Sequence, residues 1–205
     1  MKKKLEDMTL EELWQLFPIF LVEHRAEWAD WYQEESQSLL CQLPDGLVKR
    51  ISHVGSTAIP SIWAKNIVDI LLEVASKEDL AATCKLLTNH GWRIMFQDDD
   101  QCSLNKGYTE DGFADRVFHL HLRLIGDHDE LYFRDYLLDH PEIAKDYDKM
   151  KLGLWKQFEH DRNSYTDAKT DFIQRYTQLA KQDYEGRYED SDHHNKLQSD
   201  RKSGK

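Results

Sequence analysis

No stretch of this chain approaches the ~20 consecutive apolar residues that a helix needs to cross a bilayer. Its opening, Met1-Lys-Lys-Lys-Leu-Glu-Asp7, lacks the apolar region of a signal peptide. Cytoplasm is therefore the expected location, with no membrane partner. Positive charge is also in short supply: 27 basic residues face 38 acidic ones, a formal net charge of −11. That balance argues against general nucleic-acid binding, which counterion release rewards on a basic surface. It is still compatible with a local basic pocket for one small nucleotide. Cysteine is scarce, and Cys41, Cys84 and Cys102 are odd in number and not spaced as metal ligands. They read as reduced thiols, not as a disulfide frame or a zinc site. There is no internal repeat.

What is present is a globular composition, 40% hydrophobic and 11% aromatic over 205 residues, enough for one domain with appendages. Leu10, Leu13, Trp14 and Phe17 recur at helical spacing behind a capping box of Thr9 and Glu12, and Pro18 stops that helix. Residues 1–19 thus read as an N-terminal helical extension whose Trp14 and Phe17 pack on the domain or on a partner. A helix over about 25–40 carries Trp28, Trp31, Tyr32 and Leu39. Strands are predicted at 48–54, 67–74, 92–96, 102–105 and 117–124, in a mixed sheet with helices mainly on one side. A helix capped by Ser76 and closed near Gly91 separates the second from the third. In the last strand Phe118, Leu120, Leu122 and Leu124 share one face, and His119, His121 and Arg123 the other. Helices follow over 131–138, from Pro141 and from about Ser164, completing a domain of residues 20–182. Beyond that, residues 183–205 turn polar and read as a disordered tail, in which His193 and His194 are too isolated to be a metal site.

The most informative segment runs from Arg50 to Glu73. An apolar run ends in Gly55-Ser56-Thr57, and a second apolar run carries Asp69 among Ile67, Val68, Ile70, Leu71 and Leu72. Glycine permits close approach of a ligand to the backbone, and the amides and hydroxyls after it suit phosphate oxygens. An unpaired carboxylate inside an apolar strand is costly, so Asp69 is expected to have a partner, either a cation or a metal ion. Strand periodicity places Asp69, Leu71 and Glu73 on one face; Glu73 reads as a solvated strand end. Lys106-Gly107 and Arg116 flank what reads as a loop able to close over a ligand.

Five motifs in this order resemble the GrpB family: His53-Val-Gly-Ser-Thr-Ala-Ile-Pro60, Lys65-Asn-Ile-Val-Asp69-Ile, Phe118-His-Leu-His121, Phe133-Arg-Asp-Tyr-Leu137 and Tyr165-Thr-Asp-Ala-Lys169. The resemblance covers about Phe20 to Lys181. It implies an α+β fold, a mixed sheet of the DNA polymerase beta-like nucleotidyltransferase type with flanking helices. It also implies a phosphate on the turn of Gly55, Ser56 and Thr57, and a divalent metal on Asp69, with Mg2+ the expected ion. A full nucleotidyltransferase pair would have an acid at 71, where this chain has leucine. If the strand bearing His119 and His121 stands where a third acid would, histidine has replaced it, favouring Mn2+ or Zn2+. Asp69 and His121 are then the candidate metal ligands, Asp69, His119 and His121 the candidate catalytic residues, and Lys65, Arg134 and Lys169 further candidates for phosphate.

Three functions compete on this reading. The first is a metal-dependent nucleotidyltransferase-like enzyme acting on a nucleotide and an unknown small acceptor. The second is a nucleotide- or phosphometabolite-binding module without turnover, which Leu71 favours. The third is an interaction protein with a vestigial cleft.

Overall fold

The computed structural model describes residues 3–188. Its helices are α1 (Leu10–Leu16), α2 (Glu27–Gln42), α3 (Lys77–Thr88), α4 (Asp129–Asp139), α5 (Pro141–Phe158) and α6 (Arg162–Asp183). Its strands are β1 (Leu21–Val22), β2 (Val48–Val54), β3 (Ala64–Lys65), β4 (Val68–Val74), β5 (Arg93–Gln97), β6 (Gln101–Thr109) and β7 (Gly112–Leu124). Several helix starts follow local chemistry. Glu12 N–H donates to Thr9 Oγ1 while the Glu12 carboxylate accepts from Thr9 N–H, the complete capping box of α1. Ser76 accepts from Asp79 N–H ahead of α3, Asp161 accepts from Ser164 N–H ahead of α6, and Pro141 opens α5.

Five strands form a mixed sheet in the order β2-β4-β7-β6-β5, and β1 pairs with β3 in a separate two-stranded ribbon. β2 is antiparallel to β4, setting Val54 opposite Asp69. β4 and β7 are parallel, setting Asp69 opposite His119 and Leu71 opposite His121. Period-two alternation then sorts the side chains. Val68, Ile70, Leu72, Leu120 and Leu122 join Trp28, Leu39, Leu80 and Leu87 in the main core beneath α2 and α3. The other face carries Asp69, Leu71, His119 and His121 and is covered by α4, α5 and α6, where Leu131 packs on Val54 and Leu71. Helices therefore lie on both faces of the sheet. The expectation of helices mainly on one side is corrected, because both faces of β4 are buried along most of its length.

Three further expectations can be set against the structure. Cys84 of α3 and Cys102 of β6 face each other in the main core and pair as a disulfide, while Cys41 is free and exposed. Nothing in a spacing of 18 residues reveals that this helix covers this strand. Phe17, which follows α1, is 3% exposed and packs on Tyr108 and Phe113, so the N-terminal extension uses an aromatic anchor on the domain itself. Of the segment expected to be a disordered tail, residues 184–188 are described. Tyr184 donates to Asp139 Oδ2 at 2.7 Å, and Tyr188 donates to Asp135 and packs edge-on against Tyr132. The rest of that expectation, with His193 and His194, lies outside the described residues.

Candidate functional site

Residues of β2, β4 and β7, together with β3, α5 and α6, line a cleft of about 900 Å3. Gly55 ends β2 with φ +70° and leads into a single 3-10 turn, Ser56–Ala58. The left-handed φ suits glycine, and space demands it as well: a β-carbon there would lie 2.3 Å from Asp69 Oδ2. Asp69 Oδ1 is 3.2 Å from His119 Nδ1 and 3.4 Å from His121 Nε2. Burial pushes the Asp69 carboxyl up, but the hydrogen bonds and charge of the two imidazoles outweigh it and hold Asp69 well below the usual range. Burial also lowers His119 to about 4, against the opposing pull of Asp69. At neutral pH the pair is thus a carboxylate and a neutral imidazole.

Around this centre stands a group of cations. Lys65, Lys151, Arg162 and Lys169 all line the cleft. Lys151 Nζ donates to Ser56 Oγ at 3.2 Å and to the Trp63 carbonyl, and it lies over the Tyr147 ring at 5.0 Å. Lys169 Nζ sits 4.3 Å from the centroid of Tyr165. Desolvation lowers Lys65 to about 7, with Arg162 and Lys169 adding repulsion; it lowers Lys151 to about 7 and Lys169 to about 8. Lys151 has one carboxylate beside it, Asp148 at 3.8 Å, and amines crowded in this way are what a bound polyanion would relieve. The chain is acidic as a whole, yet this end of the cleft is basic.

The structure brings together most of the residues singled out from sequence. Gly55, Ser56, Lys65, Asp69, His119, His121 and Lys169 line one cleft. Two do not. Thr57 is buried, with its hydroxyl 2.9 Å from His53 Nε2. Arg134 turns behind the turn, donating to the His53 carbonyl at 2.8 Å and to Asp135 at 2.7 Å. Its guanidinium braces the turn from the far side, so the phosphate role expected of both residues does not fit their placement. Glu73 is no solvated strand end. It is 1% exposed, 3.1 Å from Arg50 and 3.0 Å from His128 Nδ1. Lys106 and Arg116 lie within β6 and β7, paired with Glu35 and Glu34 of α2, and a turn of two residues, 110–111, joins the two strands in place of the expected loop.

Lys151, Arg162 and Tyr108 escaped the sequence reading. Lys151 had a signal, since it falls four residues after Tyr147 on the face of α5 that turns inward. A lysine on an inward helical face calls for an explanation. Tyr108 and Arg162 carried no comparable local signal. Tyr108 OH lies 2.8 Å from His119 Nε2 and accepts from Arg162 at 3.1 Å.

As a donor set, one carboxylate and two imidazoles suit a borderline divalent metal better than magnesium, which prefers oxygen ligands. Leu71, opposite His121 in the sheet, is fully buried against Val54 and Leu131 and offers nothing to a metal. Among the described residues, no three His, Cys, Asp or Glu side chains are arranged to hold a metal ion by themselves. No helix among them is long and apolar enough to cross a membrane.

Comparison with known proteins agrees with this architecture. A solved relative, conserved protein GrpB from Enterococcus faecalis, superposes with a TM-score of 0.70 at 25% identity, covering 80% of this chain and 99% of that one. Glutamate-rich protein GrpB of Alkalihalophilus pseudofirmus is 31% identical over 160 residues, covering 76% of this chain and 91% of that protein. UPF0157 protein YqkA of Bacillus subtilis is 29% identical over 184 residues; the match takes in 87% of this chain but only 52% of YqkA, so the chain spans about half the length of that relative. The family model described as GrpB protein matches residues 18–179, taking in the Gly55 turn, Asp69, both histidines and Lys169, and the chain belongs to the GrpB family.

Proposed function

We propose that the cleft binds a nucleoside triphosphate and serves a metal-dependent nucleotidyltransferase-like reaction with a small acceptor in the cytoplasm. The observation that carries this reading is the convergence of the Gly55–Ser56 turn, the Asp69 carboxylate and four cations in one cleft. The phosphates would lie along Gly55 and Ser56, with Lys65, Lys151, Arg162 and Lys169 offsetting their charge. Asp69 and His121 would hold the divalent ion, with phosphate oxygens and water supplying its remaining ligands. The ion would offset charge that builds on phosphate and leaving-group oxygens during transfer. His121, 3.4 Å from Asp69 and 3.9 Å from Glu130, would serve either as that ligand or, with the ion held by Asp69 and phosphate oxygens, as the base that takes a proton from an acceptor hydroxyl.

A second reading, a nucleotide-binding module without turnover, is favoured by one observation. Leu71 fills the place of a second acid and is buried as core. Calorimetric titration with nucleoside triphosphates, with and without Mg2+, Mn2+ or Zn2+, tests binding, and pyrophosphate release in the presence of metabolite pools separates the two readings. Binding strengthened by metal in the wild type, and indifferent to metal in Asp69→Asn, is the expected result. No nucleotide binding under any metal would remove both readings.

A further inference from the structure

Tyr108 stands behind the cleft wall, its ring packed against Phe17 at 4.8 Å and Phe113 at 5.2 Å. Its hydroxyl has two polar neighbours, Arg162 Nη2 at 3.1 Å and His119 Nε2 at 2.8 Å. The chemistry of the groups orders the hydrogens between them. A guanidinium has donors only, so the phenol oxygen accepts from Arg162. The phenol proton then meets His119 Nε2, which must be bare to accept it. A neutral imidazole with bare Nε2 carries its hydrogen on Nδ1, and Nδ1 lies 3.2 Å from the carboxylate oxygen of Asp69. The opposite tautomer would leave the phenol proton without a partner and turn a lone pair toward the carboxylate. His121 shares a hydrogen-bond contact of 3.4 Å with Asp69, but its other nitrogen meets only Glu130 at 3.9 Å and no phenol fixes its tautomer.

We propose that Tyr108, supported by Arg162, is a positioning residue that fixes His119 in its Nδ1–H tautomer. His119 then holds and orients Asp69, and His121 is the imidazole left free to meet metal or acceptor. A histidine that orients a ligand through its other nitrogen is a common arrangement behind metal sites. The division of labour rests on the cleft being the nucleotide site; the tautomer does not, and can be read without nucleotide or metal.

Long-range proton–nitrogen spectra of the full chain labelled with 15N-histidine, near neutral pH and metal-free, provide the test. His119 should show a protonated Nδ1 and a bare Nε2. Tyr108→Phe should turn that single pattern into a mixture of both tautomers while the His121 signals stay in place. An Nε2–H form or an imidazolium at His119 in the wild type overturns the proposal, as does an unchanged tautomer in Tyr108→Phe. If that variant does not fold, Arg162→Met supplies the second arm: loss of the single pattern supports the proposal, and its retention counts against it. Failure of nucleotide binding in calorimetry would remove the cleft's assigned use and leave the tautomer result standing.

Discussion

Gly55 and Asp69 are in direct contact across the β2–β4 pair, so that a β-carbon on Gly55 would stand 2.3 Å from Asp69 Oδ2. Gly55→Ala would combine a left-handed φ of +70° with a steric clash. Gly46, with φ +78° and nothing within 4 Å, separates the two effects. Both variants should lose about 1–2 kcal/mol from backbone strain, with Gly55→Ala losing more. Chemical denaturation measures this. Only Gly55→Ala should also abolish metal-dependent nucleotide binding, because its clash displaces the carboxylate.

Leu71 looks from sequence like a lost metal ligand that aspartate could restore. Its burial against Val54 and Leu131 says otherwise. Leu71→Asp should destabilise the protein by roughly 2–5 kcal/mol, since it places an unpaired polar group in a packed cluster. It should add nothing to metal binding. A variant of unchanged melting temperature with tighter metal binding would contradict this account of the site.

The crowded lysines predict a pH dependence with a definite sign. Folded, Lys65 and Lys151 lose their protons near 7 and Lys169 near 8, against an ordinary value of 10.5. Between these values the unfolded chain holds more protons, so stability should rise as pH climbs from about 7 toward 10. Lys151→Met should flatten that slope in urea denaturation across this range, because it removes a group that is 2% exposed.

Binding a polyanion reverses the desolvation imbalance and raises the lysine values. Nucleotide binding near pH 8 should therefore take up protons, and affinity should weaken as pH rises further. Calorimetry in two buffers of different ionisation enthalpy reads the uptake directly. Equal apparent enthalpies in both buffers would show that the lysines do not meet the phosphates.

Tyr188 predicts the effect of shortening the chain. Its ring packs on Tyr132 at 4.9 Å and His128 at 5.5 Å, and its carbonyl accepts from Arg50 at 3.0 Å. Tyr188→Ala should lower stability by about 1–3 kcal/mol. Ending the chain after Asp183 should do at least as much, where the polar composition alone predicts almost no change. Thermal denaturation decides between them.

Features set by near neighbours along the chain were legible in the residues alone. Period two set Asp69 and His121 on the polar faces of their strands, helical spacing and caps set most helix starts, and the Gly-Ser turn after an apolar run marked the floor of the cleft. Each of these depends on neighbours within a few residues, where sterics and hydrogen bonding act directly. Which faces meet was settled by packing between distant elements. The parallel register of β4 and β7 brings His119 to Asp69, α5 delivers Lys151 to Ser56 across 95 residues, and Arg134 turns away from the cleft it was expected to line. The same holds for the buried Glu73, the paired Cys84 and Cys102, and Leu71 as core. Such contacts follow from how apolar faces of distant elements pack together, and a pattern of short period carries no record of that choice.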